Sequence, residues 1–176
     1  GNLYGRDGII TALETVFDRV SDGSRELCII TGAEGSGKTR LANSMESYVV
    51  GKEGFFIRGR FDHTVQTIPY SGWITAFDNF VNRLLTEDIY QLEYWKTTIN
   101  EAVGDNGKVL TEVIPNLELI IGAQPDLTPQ GVLDSHNRFM LVTRNFVRAI
   151  SKKKHPLAIF LDDFQWADEA SKNLLQ

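Results

Sequence analysis

Apolar residues recur at helical spacing along most of this chain and gather into short strand-like runs at only three places. Ile9, Ile10, Leu13, Val16, Phe17 and Val20 share one helical face, and Asp7 stands where an N-cap belongs. The run Leu27-Cys28-Ile29-Ile30 predicts a strand, and Leu41, Met45 and Val49 mark a helix that ends near Gly51. Residues 54–61 predict a second strand centred on Phe55, Phe56 and Ile57. A helical insertion over about residues 71–151 follows. Its first stripe is Trp73, Ile74, Phe77, Phe80, Val81, Leu84 and Leu85, with Ser71 as the expected cap. A second stripe, Ile89, Leu92, Trp95, Ile99 and Val103, ends before the turn Gly104-Asp105-Asn106-Gly107. Pro115 divides the apolar stretch from Val109 to Ile121, and residues 124–134, with Pro125, Pro129 and Gly131, read as a surface loop. Phe139, Val142, Phe146 and Ile150 form the last stripe before a third strand-like run, Leu157 to Leu161.

Chemistry sits where two of these runs stop. After Ile30 the residues Gly32-Ala33-Glu34-Gly35-Ser36-Gly37-Lys38-Thr39 spell G-x-x-x-x-G-K-T, the pattern of a phosphate-binding loop that opens a helix. A polyphosphate must be met by several backbone N–H groups at once. Gly32, Gly35 and Gly37 remove the side chains that would block it and take backbone angles that other residues reach only with strain. The helix after Lys38 adds its unpaired N–H groups and the positive end of its dipole. In this reading Lys38 reaches the β- and γ-phosphates, and the Thr39 hydroxyl ligates Mg2+. The alternative is a glycine-rich turn between a strand and a helix. The run Leu157-Ala158-Ile159-Phe160-Leu161 ends in Asp162-Asp163, a Walker B pattern. Asp162 is expected to hold Mg2+ and Asp163 to orient or deprotonate the attacking water. A buried strand followed by a turn with two aspartates is the plainer reading.

Composition narrows the partners. The chain has 176 residues, 42% of them hydrophobic, which is enough for one globular domain with a sizeable core. A formal charge of −5 argues against a nucleic-acid backbone as the main partner. The only basic run, Lys152-Lys153-Lys154, reads as a solvated helix end. Cys28 is the sole cysteine and reads as core, so neither a disulfide framework nor a cysteine metal site is expected. No stretch is as long and apolar as a membrane span, and a cytoplasmic setting is expected.

Four separated stretches together resemble the AAA-type ATPase module of the STAND signalling class. They are Leu3-Tyr4-Gly5-Arg6-Asp7, the phosphate loop, Pro69-Tyr70-Ser71, and the string from Leu161 through Gln165, Trp166 and Asp168. The middle of the chain, including Ile114-Pro115 to Gly122, is most similar to the version found in large multidomain serine/threonine kinase and sensor histidine kinase proteins. The resemblance implies an α/β P-loop NTPase fold, a three-layer parallel sheet with a helical insertion. It implies ATP and Mg2+ as ligands, with Lys38 and Asp163 catalytic and Thr39 and Asp162 on the metal. Residues Gly32, Ala33, Glu34, Gly35, Ser36, Gly37, Lys38, Thr39 and Arg40 would line the phosphate site. Tyr4, Gly5 and Arg6 would contribute to the adenine pocket, although Arg6 taken alone is an ordinary helix-flanking charge. Gln165 and Trp166 belong to the family's pattern without declaring their chemistry. In the family a sensor strand lies between the phosphate-loop strand and the Walker B strand and comes later in sequence. The expectation is therefore that residues 1–176 are the N-terminal part of one domain, lacking that strand and the lid, and unstable in isolation.

Three functions fit these features. The leading one is an ATP-binding and hydrolysing switch coupled to signalling domains of the same polypeptide, with nucleotide-dependent self-association. A non-hydrolysing ATP-dependent scaffold is the alternative. A small-molecule kinase shares the loop, but the Asp162–Asp168 string and the helical insertion count against it. No nucleic acid and no membrane are expected as partners.

Overall fold

The computed structural model describes residues 7–33, 35–65, 68–129 and 131–175. Tyr4, Gly5, Arg6 and Glu34 lie outside them. In chain order the elements are α1 (Asp7–Ser21), α2 (Lys38–Gly51), β1 (Phe55–Arg60), α3 (Ser71–Leu84), α4 (Ile89–Val103), α5 (Lys108–Thr111), α6 (Glu118–Ile121), α7 (Val132–Ile150), β2 (Leu157–Asp162) and α8 (Glu169–Asn173). Short 3-10 turns fill several of the connections. Two compact units result, one of Gly1–Phe56 with Ser151–Phe160, the other of Ile57–Ile150 with Leu161–Gln176. Among the described residues, no helix is long and apolar enough to cross a membrane.

The first unit is held by the α1 and α2 stripes. Phe17 from α1 and Ala42, Met45 and Val49 from α2 are buried together with Phe56, and Leu13, Val20, Ala158 and Phe160 pack against them. Phe56 stacks on Phe160 with ring centroids 6.4 Å apart. Close packing fixes Gly54: a Cβ there would lie 2.8 Å from the Pro156 carbonyl oxygen and 3.0 Å from the Phe17 ring. At the rim, the Tyr48 hydroxyl donates to Asp18 at 2.9 Å, and the Lys52 ammonium lies 3.2 Å from the same carboxylate. The Tyr48 bond, then Lys52, holds the Asp18 carboxyl below its ordinary range.

The second unit is the helical insertion. Trp73, Phe77, Phe80, Val81 and Leu84 of α3 are buried with Trp95, Ile99 and Val103 of α4 and Val142, Phe146 and Ile150 of α7. Phe80 meets both Trp95 and Phe146 edge to face, at 5.6 and 6.2 Å. Such pairs favour the T-shape because a positive ring edge faces a negative ring face. The expected stripes hold at these positions, whereas Ile89 is exposed and Ile74 and Leu85 are half-buried.

β1 and β2 form a two-stranded sheet. Phe55 N–H donates to Pro156 at 2.8 Å and Phe61 N–H to Asp162 at 3.1 Å, the same offset along the sequence at both ends, so the strands run parallel. The fold is thus mixed α/β with a small parallel sheet. β2 is half-buried throughout rather than covered on both faces.

Three local expectations are corrected. Leu27 to Ile30 is not a strand: Leu27 is 64% and Ile29 81% exposed, and Cys28 is exposed rather than core. An apolar run becomes a strand only when a neighbour takes its backbone N–H and C=O groups, and among the described residues the ladder joins β1 and β2 alone. Ser71 does not cap α3, since it is already helical; the cap position is Tyr70, left-handed at φ 64°, with no side-chain bond. Asp7 likewise lies inside the first turn of α1.

Candidate functional site

Residues Gly32, Ala33, Gly35, Ser36 and Gly37 lead into α2, whose first residues are Lys38, Thr39 and Arg40. Gly35 and Gly37 have φ of 74° and 85°, a region in which a side chain is strained. Gly37 occupies the cap position of α2 and leaves the helix with no side-chain cap. The loop is tightly wound, with Ser36 N–H donating to Ala33 at 3.1 Å. A Cβ on Gly32 would meet Ser36 Oγ at 2.6 Å. Lys38 Nζ turns back into the loop and donates to the carbonyl oxygens of Gly32 at 2.8 Å and Ala33 at 3.0 Å. Ser36 Oγ is buried and has no hydrogen-bond partner among the described residues.

These features fit a polyphosphate. The dipole's positive end of a helix with no side-chain cap, an ammonium and an orphaned hydroxyl all suit negative oxygens. Thr39 is exposed at the same helix end, and its hydroxyl suits a hard cation. Among the described residues no three His, Cys, Asp or Glu side chains gather as a metal cage. Mg2+ is commonly held through one or two carboxylates together with substrate phosphates rather than by a cage of protein side chains.

Asp162 ends β2 and Asp163 follows it, both in the other compact unit. Asp162 Oδ1 accepts the N–H of Asp163 at 3.0 Å. Asp163 is left-handed at φ 54°, ψ 38°, and it starts the short turn Phe164–Trp166. Its Oδ2 accepts from Nε of Arg60 at 2.8 Å and lies at the same distance from Nη2 in an ion pair, and its Oδ1 accepts from Gln165 Nε2 at 3.2 Å. Beyond the sheet the two chain segments stay in register, Phe61 against Phe164 and His63 against Trp166, both at 5.5 Å between centroids.

The segment after the acids is tied to the start of α3. Asp168 caps α8 through Ser171 N–H at 2.9 Å and also accepts the Tyr70 N–H at 3.1 Å. Trp73 Nε1 donates to the Ser171 carbonyl at 3.0 Å. Tyr70 bonds His136 Nδ1 at 2.6 Å, and its ring lies 4.2 Å from that of Phe139. Burial, then the Asp168 charge, raises its phenol above the ordinary value. Two of the stretches singled out in the sequence, around Tyr70 and around Asp168, thus meet in one anchored corner.

Arg60 is the residue that sequence reasoning passed over. The usable signal was its place: parallel neighbours end on the same edge, so a base closing β1 sits beside acids closing β2.

The AAA ATPase domain family profile matches residues 2–176. The chain is 38% identical over 174 residues to hybrid signal transduction histidine kinase G of Dictyostelium discoideum, covering 99% of this chain and 5% of that protein. It is 24% identical over 188 residues to histidine protein kinase 1 of Candida albicans, covering 99% of this chain and 8% of that one. The chain therefore spans less than a tenth of the curated relatives it matches. No solved structure matches it significantly.

Proposed function

Because this chain belongs to the AAA ATPase domain family, we propose that it is the ATP-binding and hydrolysing switch module of a longer signalling protein. The observation that carries the reading is the junction at Lys38, where an uncapped fourteen-residue helix, two left-handed glycines and a lysine ammonium face one short loop. Family membership adds nucleoside-triphosphate chemistry, and the similar proteins, named as histidine kinases, add the signalling setting.

In this reading the N–H groups of Gly35 to Thr39 cradle the phosphates, and Lys38 leaves the Gly32 and Ala33 carbonyls to hold the β- and γ-oxygens. Thr39 and Asp162 are the Mg2+ ligands. When bound, the ion neutralises phosphate charge, and Asp163 aims the attacking water. Tyr4, Gly5 and Arg6 serve the adenine, and Glu34 and Arg40 complete the phosphate loop. Nucleotide state then biases contacts with other domains of the polypeptide and self-association.

The test uses the full-length protein with ATP and Mg2+. Lys38→Ala is expected to abolish nucleotide binding, while Asp163→Asn keeps binding and loses turnover by about a hundredfold or more. Binding without turnover in the unmodified protein would favour the scaffold, and turnover only with an added acceptor would favour a kinase.

A further inference from the structure

We propose that Tyr70, Asp168 and His136 form a latch that passes the position of the turn after the paired acids to α7 and to the loop ahead of it, so that nucleotide state sets the conformation of the helical insertion. This deepens the reading given above and rests on its assignment of Asp163. The connector supplies the first argument. Between Asp163 and Asp168 the turn is bonded at successive steps: Trp166 N–H donates to the Asp163 carbonyl at 2.9 Å, and Ala167 N–H to the Phe164 carbonyl at 3.0 Å. Asp168 Oδ1 accepts the Ser171 N–H at 2.9 Å, and its Oδ2 accepts both the Ser171 hydroxyl at 2.6 Å and the Tyr70 N–H at 3.1 Å. One carboxylate thus starts α8 and holds the entry to α3. Ala167 and Ser171 are buried, and Trp73 Nε1 closes the same corner on the Ser171 carbonyl at 3.0 Å. Coupling between distant positions is carried by bonded and packed chains of this kind.

The backbone of Tyr70 gives the second argument. It is left-handed, at φ 64° and ψ 15°, where a bulky side chain is strained. Such a conformation persists only where the surroundings impose it. Here they come from two sides. Asp168, ahead of α8, takes the N–H. His136 of α7 meets the hydroxyl through Nδ1 at 2.6 Å, and Phe139 of α7 stacks on the ring with centroids 4.2 Å apart. Releasing either side lets the strained backbone relax, which gives the joint a second arrangement. Among the described residues three non-glycines have positive φ, and two of them, Asp163 and Tyr70, stand at the two ends of this chain of contacts.

The third argument is where the latch ends. The later part of α7 is anchored in the core by Val142, Phe146, Ala149 and Ile150, whereas His136, Arg138, Phe139 and Met140 are half-buried. The stretch that meets Tyr70 is therefore the part of α7 that is less deeply packed. Arg138, between the two residues that touch Tyr70, donates through Nη2 to the Thr128 carbonyl at 2.9 Å and to the Thr128 hydroxyl at 3.3 Å. Residues 122–129 form no helix or strand, and the pairing of Asp126 with Lys108 ties them down a second time. Pro125, Asp126, Thr128 and Pro129 are exposed, so a shift of α7 reappears on a surface that other domains of the polypeptide can read.

The test follows backbone amide exchange in the full-length protein, with and without Mg2+ and a slowly hydrolysed ATP analogue, for the unmodified chain, Tyr70→Phe and His136→Ala. Tyr70→Phe removes one hydroxyl and keeps the ring and the N–H, so it spares the fold. In all three proteins the analogue is expected to protect residues 32–39 and 161–168, with its Kd changed by less than about twofold. In the unmodified chain it should also change exchange over residues 134–140 by about tenfold, and both variants should lose most of that response while keeping the other two. If residues 134–140 ignore the analogue in the unmodified chain while 32–39 and 161–168 respond, the corner is a static brace and the proposal is overturned. A full response at 134–140 in both variants overturns it equally. Protection at 32–39 without any change at 161–168 would remove the latch's input and with it the assignment of Asp163. No protection at 32–39 would sink the switch reading itself, a result distinguishable from a broken latch in a protein that still binds nucleotide.

Discussion

A buried hydroxyl with nothing to bond is costly, and Ser36 Oγ in the phosphate loop is such a group. Its removal separates two roles that usually travel together. Ser36→Ala deletes an unsatisfied polar atom, so the nucleotide-free protein should keep or slightly gain stability, by up to about 1 kcal/mol. If the hydroxyl waits for a phosphate oxygen, the same change should weaken nucleotide binding about three- to tenfold. Melting without ligand and a binding isotherm, run side by side, check both signs; lost stability with unchanged affinity would assign the hydroxyl to the loop alone. Such residue-scale detail was unevenly legible. The loop could be read because all its parts lie within eight consecutive positions, whereas Arg60 and Asp163 are joined only by strand pairing that no local pattern contains.

At the scale of elements, the helices were readable because their stripes reflect burial on one face. Phe77, Phe80, Val81 and Leu84 in α3, and Trp95, Ile99 and Val103 in α4, are the positions found inside. What periodicity cannot report is whether an apolar run has a neighbour, and this is why Leu27 to Ile30 was misread as a paired strand with a core cysteine. Cap assignments failed for a smaller reason: at α3 the left-handed Tyr70 takes the cap position, where Ser71 was expected. Helix and strand also meet closely. A Cβ at Gly59 of β1 would run into the Gly72 carbonyl of α3, and one at Gly72 would lie 2.6 Å from the Phe61 ring. Backbone cannot retreat as a flexible side chain does, so Gly59→Ala should destabilise by about 1–3 kcal/mol. Thermal melting checks this, and a melting point within about a degree of the parent would show that α3 can move aside.

Across the whole molecule the acid limb of stability has a stated source and sign. Asp18, bonded by Tyr48 and paired with Lys52, has its folded pKa lowered. Its contribution is present above the ordinary aspartate value of about 3.9 and is lost as pH falls through the folded value. Asp126, held by Lys108, follows the same rule in the helical insertion. Asp18→Asn should therefore flatten the dependence of melting temperature on pH below about pH 4.5, and parallel curves for variant and parent would reject this.

The parallel pairing of β1 with β2 also has a consequence in time. Phe55–Arg60 must wait for Leu157–Asp162, about a hundred residues later in the chain. At ordinary rates of translation that delay is roughly 5–20 s, long beside the microseconds in which α3 and α4 can form. The nascent polypeptide thus emerges with α3 and α4 able to form while the apolar strand before them is still unmatched, an interval in which a ribosome-associated chaperone has a natural client.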